Sequence, residues 1–282
     1  MGFAKVPGLK WLLLVIPVLF VLVFMGYPLL GVLKLSVTDQ NGFTLNNFIR
    51  IFQEPIYFQV IVNTLKVSFI VTVCALILGY PVAYLLTKTQ SNQLKIWITA
   101  AVLLPYWTSV LVRTYAWTFM LQSNGIVNKL LMALGLVGEP VKLLHNMLGT
   151  TIGITHVLLP YMVLNLYAVM QGIDRNLVRA AEGMGSRPAK AFWTVFFPLS
   201  LPGVISGSLL VFVLSLGFLI IPAILGGPSS LMISTLIETQ VNQLLNWNFG
   251  SAIAVVLLII TLLLTGISYL IVGKYPGAKE LK

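Results

Sequence analysis

The chain has 282 residues, of which 58% are hydrophobic and only 9% are charged, and its mean hydropathy is +0.97. A water-soluble domain carries about 25% charged residues, so this composition excludes a globule hydrated on all sides and indicates a membrane protein. The formal net charge of +10 does not indicate nucleic acid binding, because lysine and arginine cluster in short loops on one side of the predicted membrane. The lone cysteine, Cys74, excludes an intrachain disulfide and a thiolate metal cluster.

Six apolar segments reach the length of about 20 residues that a membrane-spanning helix needs. They lie at about 11–35, 60–87, 96–121, 147–171, 203–225 and 250–272. The first is predicted to be a retained span, because it is too long for a signal peptide and lacks a small-residue cleavage site. The stretch Asn124–Leu136 is too short to span and is predicted to be an interfacial or re-entrant helix. The sequence therefore predicts an all-α transmembrane protein with a single domain over residues 1–282.

The distribution of positive charge predicts the orientation of these spans. With six spans, both termini lie on the same side of the membrane, and that side holds eleven Lys and Arg residues against four on the other side. By the positive-inside rule, both termini and the loops at 88–95 and 172–202 are predicted to be cytoplasmic. The loops at 36–59, 122–146 and 226–249 are then predicted to face outward.

The acidic residues argue against a self-sufficient carrier. All seven carboxylates lie outside the six segments: Asp39, Glu54, Glu139, Asp174, Glu182, Glu238 and Glu280. Carriers driven by protons or sodium usually place an ionisable acid inside the membrane, although backbone carbonyls can also coordinate sodium. The chain also lacks the Gly-rich loop ending in Lys-Ser or Lys-Thr that cradles ATP. If transport is active, its energy is therefore expected to enter from another polypeptide.

The two histidines do not predict a catalytic or metal site. Neither His145 nor His156 has a carboxylate at helical spacing that would orient its ring. His145 is expected near the outer interface. His156 lies within the fourth span, where its ring can bond to a neighbouring helix.

The segment 172–202 is far longer than a helix connection needs, and its residues predict two short helices. Asp174 is predicted to cap the first helix, and Gly185 to end it in a left-handed conformation. Ser186 is predicted to cap the second helix, with Pro188 in its first turn.

The second predicted helix has an aromatic side and a proline-rich end. Its apolar side consists of Phe192, Trp193, Phe196 and Phe197. Pro198 and Pro202 are predicted to end it. Two functions are open for this helical pair on residues alone. The small residues Ala180 and Ala181 permit close approach by a partner protein, but an amphipathic connector resting on lipid headgroups fits equally well.

This segment resembles the coupling loop of binding-protein-dependent ABC importer permeases. That loop has the pattern Glu-Ala-Ala, three residues, Gly, nine residues, then Ile-x-Leu-Pro. Ala180, Ala181 and Gly185 match the pattern, and the residues Val-Phe-Phe-Pro that end at Pro198 stand in for Ile-x-Leu-Pro. Arg179 replaces the usual Glu, which removes any salt bridge that the acid makes in the family. Glu182, three residues on, can substitute for it.

Within this family the chain is most similar to the first membrane subunit of spermidine/putrescine importers. The resemblance covers nearly the whole chain and rests on four softer motifs: Leu78-Gly79-Tyr80-Pro81, Pro105-Tyr106-Trp107-Thr108, Arg113-Thr114-Tyr115 and Trp247-Asn248-Phe249-Gly250. Relatives that import ferric iron, opines, sulfate or other small solutes share much of this pattern, so these solutes remain alternatives.

The resemblance implies a fold, a set of partners and a location. The fold is the six-helix type I ABC importer permease with a cytoplasmic coupling-helix loop, in a bacterial inner membrane. The partners are a second homologous permease subunit, two ATPase subunits, a solute-binding protein and membrane lipid. ATP and magnesium are expected on the ATPase subunits, and no cofactor is expected on this chain. The residues implied in ATPase coupling are Asp174, Arg179, Ala180, Ala181, Glu182, Gly185 and Pro198.

Four residues are candidates for the substrate pathway, each with an alternative role. Arg113, a charge within the third span, is either a pathway or gating residue or a structural cation that bonds backbone carbonyls. Tyr106 and Trp107 can offer aromatic faces to an amine or belong to the interfacial belt. Glu238, in an amide-rich outer segment, can contact the binding protein or attract cations, or it is merely solvated.

Overall fold

The computed structural model describes residues 7–39 and 42–272, and the predicted cytoplasmic cations Lys5, Lys274, Lys279 and Lys282 lie outside them. The chain divides into two compact units. The first takes in residues up to Phe58 together with Leu236–Ile259, and the second takes in Gln59–Thr235 together with residues from Ile260 onwards.

The first unit is built around the long helix α1 (Pro7–Ser36), followed by the strands β1 (Thr38–Asp39) and β2 (Gly42–Phe43) and helix α2 (Asn46–Gln53). The strands pair antiparallel, with Thr38 opposite Phe43. Helix α13 (Trp247–Val272) begins in this unit, where the amide of Asn248 donates to the carbonyls of Leu35 (3.3 Å) and Thr38. This amide therefore fixes the end of α1 against the start of α13.

The second unit holds most of the remaining helices. Helix α3 (Pro55–Lys88) starts in the first unit and continues into the second. The helices that follow are α4 (Asn92–Leu103), α5 (Val110–Leu121), α6 (Ile126–Ala133), α7 (Met147–Met170), α8 (Arg175–Gly183), α9 (Pro188–Ala191), α10 (Phe197–Leu216) and α11 (Ile220–Leu225). Helix α12 (Ile233–Glu238) starts in the second unit and ends in the first. The core of this unit lies between α3, α7, α10 and α11, with Val71, Met162, Val211 and Ile221 fully buried.

Small residues allow α7 and α10 to pack closely. Gly203 and Gly207 lie one helical turn apart on α10, which is the small-xxx-small spacing of membrane helix interfaces. A Cβ atom on Gly203 would come within 2.9 Å of Cβ of Val169, and one on Gly207 would come within 3.0 Å of Sδ of Met162. In lipid no hydrophobic force drives helices together, so this close contact supplies the van der Waals attraction that holds the pair.

The first, second, fourth and sixth predicted spans are each one continuous helix in the structure, with ends displaced by up to five residues from those predicted. The predicted short helix after the third span is also present, as the eight residues of α6.

The prediction of one continuous third span over 96–121 is wrong. Helices α4 and α5 both belong to it, but the chain bends by 100° between them. Pro105 has no N–H to continue the helical ladder, so the chain forms a 3-10 turn over Leu104–Trp107. Thr108 and Ser109 then take extended conformations before α5 starts in a new direction. Hydropathy detects the apolar length of this segment but cannot detect the bend.

The predicted fifth span, 203–225, is also displaced. The apolar helical stretch runs over Pro188–Leu216, and the chain breaks at Gly217 before the short helix α11. Pro198 and Pro202 do not end a helix as predicted, because Pro198 lies in the first turn of α10 and Pro202 lies inside it. A wide π turn over Phe192–Phe196 precedes Pro198, and this wider turn leaves room for a ring that would clash in a regular α-helix.

The contact at Gly203 makes a prediction about stability. Gly203→Ala should lower the thermal unfolding midpoint in detergent, because overpacking of a tight contact costs about 1–3 kcal/mol. Gly266→Ala is the matched control, since Gly266 also lies within a helix but no atom lies within 4 Å of its added Cβ. Both variants gain the same helix propensity, so equal midpoints would contradict the packing role of Gly203.

Candidate functional site

The residues of the predicted coupling loop form a helical hairpin, defined here as residues 174–198. As predicted, Asp174 caps its first helix, α8, by accepting a hydrogen bond from the N–H of Asn176 (2.9 Å). Gly185 ends α8 with φ +92°, the left-handed conformation predicted for it. The N–H groups of Gly185 and Ser186 donate to the carbonyls of Glu182 (2.9 Å) and Ala181 (3.1 Å), which is the Schellman pattern of a glycine-ended helix.

The second half of the hairpin differs from the prediction at its start. Ser186 does not cap the second helix, since the capping position belongs to Arg187, which makes no side-chain cap. Pro188 occupies the first turn, as predicted, and needs no N–H partner there. From Pro188 the chain continues through α9 and the π turn into α10 without a break, so the hairpin is directly continuous with a membrane-spanning helix.

An aromatic cluster anchors the hairpin to α3. The ring of Tyr84 packs edge-on against Phe192 and Phe196, with centroids 5.3 and 5.0 Å apart, and Tyr80 also contacts Phe192. The hydroxyl of Ser200 is already committed to donating to the carbonyl of Phe197, so the Tyr80 O–H is the donor in their 2.8 Å hydrogen bond. A displacement of the hairpin is therefore resisted by packed rings on α3 as well as by the helix α10 that it enters.

One face of α8 presents an unpaired apolar ridge. Leu177, Ala180 and Met184 are spaced three and four residues apart and share this face. Leu177 is 49% exposed, Met184 is 83% exposed, and Ala180 is also exposed. The expectation that Ala181 also faces a partner is wrong, because Ala181 is only 7% exposed. The turn at Gly185 folds the chain back, so the Ala181 side of α8 faces the unit's own interior.

The opposite face of α8 lines a groove of charged and aromatic residues beside the end of α3. The groove has a volume of about 310 Å³, and its charged lining residues are Lys88, Arg175, Arg179 and Glu182. Glu182 thus shares the groove with Arg179, the residue that departs from the family pattern. The ammonium group of Lys88 lies 5.7 Å from the ring centroid of Tyr84, within the range of a cation–π contact.

A second candidate site lies at the bend between α4 and α5. Tyr106 and Arg113 line a cavity of about 500 Å³ together with Thr108, Ser109 and Tyr161. Arg113 is only 9% exposed, and the Tyr106 and Tyr161 rings meet edge-on at 5.6 Å. The bend creates this cavity, because it turns the start of α5 toward the middle of α7.

Of the three pathway candidates in the second unit, the structure brings Tyr106 and Arg113 together but not Trp107. Trp107 is 86% exposed and does not line the cavity that Tyr106 and Arg113 share. Glu238 belongs to the first unit, where its carboxylate accepts a hydrogen bond from the amide of Gln243 (3.4 Å). The prediction that His156 bonds to a neighbouring helix is confirmed, since its Nδ1 accepts the indole N–H of Trp117 (3.2 Å).

Sequence reasoning missed Tyr161 as a lining residue of this cavity. Its phenol is a polar group in the middle of a predicted span, directly after Pro160, and that position is a usable signal. Thr108 and Ser109 were also missed, because only the bend places them at the cavity.

Comparison with known proteins gives a consistent result over most of the chain. Residues 75–275 match a family described as binding-protein-dependent transport system inner membrane component. The chain is 32% identical to the spermidine/putrescine transport system permease protein PotB of Haemophilus influenzae over 253 residues, which cover 87% of this chain and 88% of that protein. It is 30% identical to the inner membrane ABC transporter permease protein YdcU of Escherichia coli, covering 92% of this chain and 91% of the relative.

Solved structures share the fold at lower sequence identity. A chain of the bacterial alginate ABC transporter, in complex with its alginate pentasaccharide-bound periplasmic protein, is similar with a TM-score of 0.72 at 19% identity, covering 92% of each chain. A chain of the MetNI methionine ABC transporter is similar with a TM-score of 0.58 at 18% identity, covering 77% of this chain and 94% of the other. At these identities the likeness concerns the fold alone.

The left-handed turn at Gly185 can be tested with one methyl group. No atom lies within 4 Å of a Cβ added at Gly185, so Gly185→Ala strains only the backbone, and we expect a loss of stability of ~1–2 kcal/mol. Gly183→Ala is the control, because its Cβ also meets open space and its backbone is helical. Thermal unfolding in detergent measures both variants. A Gly185→Ala midpoint as high as that of Gly183→Ala would show that the turn tolerates a side chain.

Proposed function

Because this chain belongs to the family of binding-protein-dependent transport system inner membrane components, it is a permease subunit of an ABC importer, and we propose that it moves spermidine, putrescine or a related small solute inward. The observation that supports this class of solute is the 32% sequence identity with a spermidine/putrescine permease over 87% of the chain. The type I ABC importer permease fold, with five long apolar helices and one bent pair within the described part of the chain, fits this function.

The proposal assigns the energy source to other polypeptides. ATP and magnesium are bound and ATP is hydrolysed on two ATPase subunits, while this chain holds no cofactor and performs no chemistry. A second, homologous permease subunit completes the membrane pathway, and a solute-binding protein delivers the solute from outside. The solved alginate transporter, whose structure includes a periplasmic protein, supports such an assembly.

The hairpin is proposed as the contact through which the ATPase acts. The apolar ridge of Leu177, Ala180 and Met184 needs a partner, since nothing within its own unit covers these side chains. When the ATPase subunits close on ATP, the ridge moves with them, and α10 and the aromatic cluster transmit the movement to the spans. Such coupling requires that the two conformations differ in affinity for ATP and for the loaded binding protein.

The proposal also sets the location. The chain lies in a bacterial inner membrane, with the hairpin and both termini on the cytoplasmic side, where ATP is present. The Lys and Arg residues of the hairpin and of the 88–95 loop support this orientation: Lys88, Lys95, Arg175, Arg179, Arg187 and Lys190.

Reconstituted transport tests this function. The complete importer in proteoliposomes, supplied with internal ATP and the external binding protein, should take up labelled spermidine or putrescine, whereas the purified chain alone should show no uptake. Uptake by the chain alone would overturn the permease assignment. Uptake of sulfate or ferric iron in place of polyamine by the complete importer would overturn the solute class and leave the permease function intact.

The same preparation tests the docking ridge. Ala180→Asp places a charge in the centre of the ridge and should abolish co-purification of the ATPase together with uptake, because an unpaired charge would be buried at the interface. Gln93→Asp is the control, since Gln93 is exposed in the other predicted cytoplasmic loop. Retention of both the ATPase and uptake in Ala180→Asp would contradict docking at this face.

Labelling of single cysteines tests the orientation. In a Cys74→Ala background, a membrane-impermeant maleimide should label Leu136→Cys in intact cells and should label Ala189→Cys only after the membrane is opened. Both native side chains are exposed and neither belongs to the apolar ridge, so a difference in labelling reports the side of the membrane. Labelling of Ala189→Cys in intact cells would place the hairpin outside, out of reach of any ATPase.

A further inference from the structure

The cavity at the α4–α5 bend contains a buried cation, and none of the residues that the structure describes forms an ion pair with it. We call it the Arg113 cavity and define it by its polar lining residues, Tyr106, Thr108, Ser109, Arg113 and Tyr161. Arg113 is 9% exposed, and its Nε and Nη1 atoms are buried without any hydrogen-bond partner. A guanidinium group stays charged at any physiological pH, so it cannot lower the cost of burial by losing its proton. An arrangement of this kind is stable only if an anion or several carbonyl groups approach the guanidinium.

A helix terminus adds positive potential to the same cavity. Helix α5 has 12 residues, and its first residues, together with Thr108 and Ser109 before them, line the cavity. Ser109 occupies the capping position and makes no side-chain cap, and the Thr108 hydroxyl is committed to the carbonyl of Pro105 (2.8 Å). The free N–H groups of the first turn and the positive end of the helix dipole therefore favour an anion at this place.

The spanning helices that the structure describes carry no carboxylate that could pair with Arg113. The tyrosine hydroxyls of the cavity are neutral groups and cannot balance the charge of a guanidinium. The counter-ion must therefore come from another molecule.

We propose that the Arg113 cavity is an oxyanion site whose ligand is a carboxylate from a membrane-spanning helix of the second permease subunit. The inference rests on the proposed two-permease assembly and goes beyond it. A cationic solute favours the second subunit as the source of the carboxylate. An unpaired arginine beside the substrate pathway would repel a polyamine, whereas an arginine paired with a carboxylate leaves the wall of the pathway neutral. A carboxylate or phosphonate group carried by the solute has the same chemistry and is the alternative source that the test distinguishes.

The test compares charge variants in the complete, reconstituted importer. The uptake rate should be highest for Arg113→Lys, lower for Arg113→Gln and lowest for Arg113→Glu. Lysine keeps the positive charge, glutamine removes it, and glutamate repels the anionic ligand. Arg113→Gln should lose at least about tenfold in uptake rate, since removal of one partner of a buried charge pair leaves the other unpaired. Lys66→Gln is the matched control. It also removes one positive charge from a spanning helix, but Lys66 is exposed.

Two further measurements identify the source of the oxyanion. If the second subunit supplies it, Arg113→Gln should lower the thermal stability of the solute-free complex, and Arg113→Glu should lower it further. Suppressors selected for restored uptake should then replace an Asp or Glu in a span of the second subunit by a basic residue. If the solute supplies it, Arg113→Gln should raise the solute concentration for half-maximal uptake and leave the stability of the solute-free complex unchanged, which supports the site but overturns its assignment to the subunit.

Two outcomes overturn the oxyanion site. In the first, the Lys, Gln and Glu variants lose uptake equally, which indicates a packing role for Arg113. In the second, all three variants transport as well as Lys66→Gln. Each variant is compared only in complexes that contain the ATPase and the second permease. Failure of the wild-type chain to assemble with them would contradict the proposed function and is thereby distinguished from failure of this site.

Discussion

The packing of Tyr80 and Tyr84 on α3 against Phe192 and Phe196 is the contact on which the proposed coupling through the hairpin depends. In that proposal the partner contacts one short apolar ridge of the hairpin, and a movement imposed there would be lost if the hairpin were flexible. Edge-to-face ring contacts are worth about 0.5–1.5 kcal/mol each beyond the surface they bury. Several such contacts on one hairpin make it move with the spans that it joins.

The continuity of the hairpin with α10 adds a second connection. The chain passes from Pro188 to Leu216 without leaving helical structure. The π turn before Pro198 leaves room for the proline ring, which would otherwise interrupt the helix. Helix α10 in turn packs tightly on α7 through Gly203 and Gly207. A displacement of α8 would therefore reach α10 through the continuous backbone. It would then reach α7 through the close packing of α10 on α7.

The spanning helices that the structure describes bury several hydroxyl groups, but they bury a charged side chain at one place only. Arg113 is the charged residue that the structure buries among the spanning helices it describes, and the bend after Pro105 gives it a cavity to face. Lys66, the other cation in a span, is exposed and can extend its ammonium group toward the interface. The difference between these two residues comes from the path of the backbone and not from the hydropathy of their segments.

The sequence by itself determined the membrane class, the positions of four spans, the cap at Asp174 and the left-handed turn at Gly185. These follow from local rules, because apolar length, capping side chains and glycine conformations act within a few residues. The tertiary structure alone decided the 100° bend, the passage of α10 through Pro198 and Pro202, and the burial of Ala181 with exposure of Ala180. A proline can end, bend or begin a helix, so the local sequence at Pro105, Pro198 and Pro202 did not determine which of these occurs. The burial of Ala181 depends on which other helix lies alongside, and contacts between residues distant in the chain have no signature in local composition.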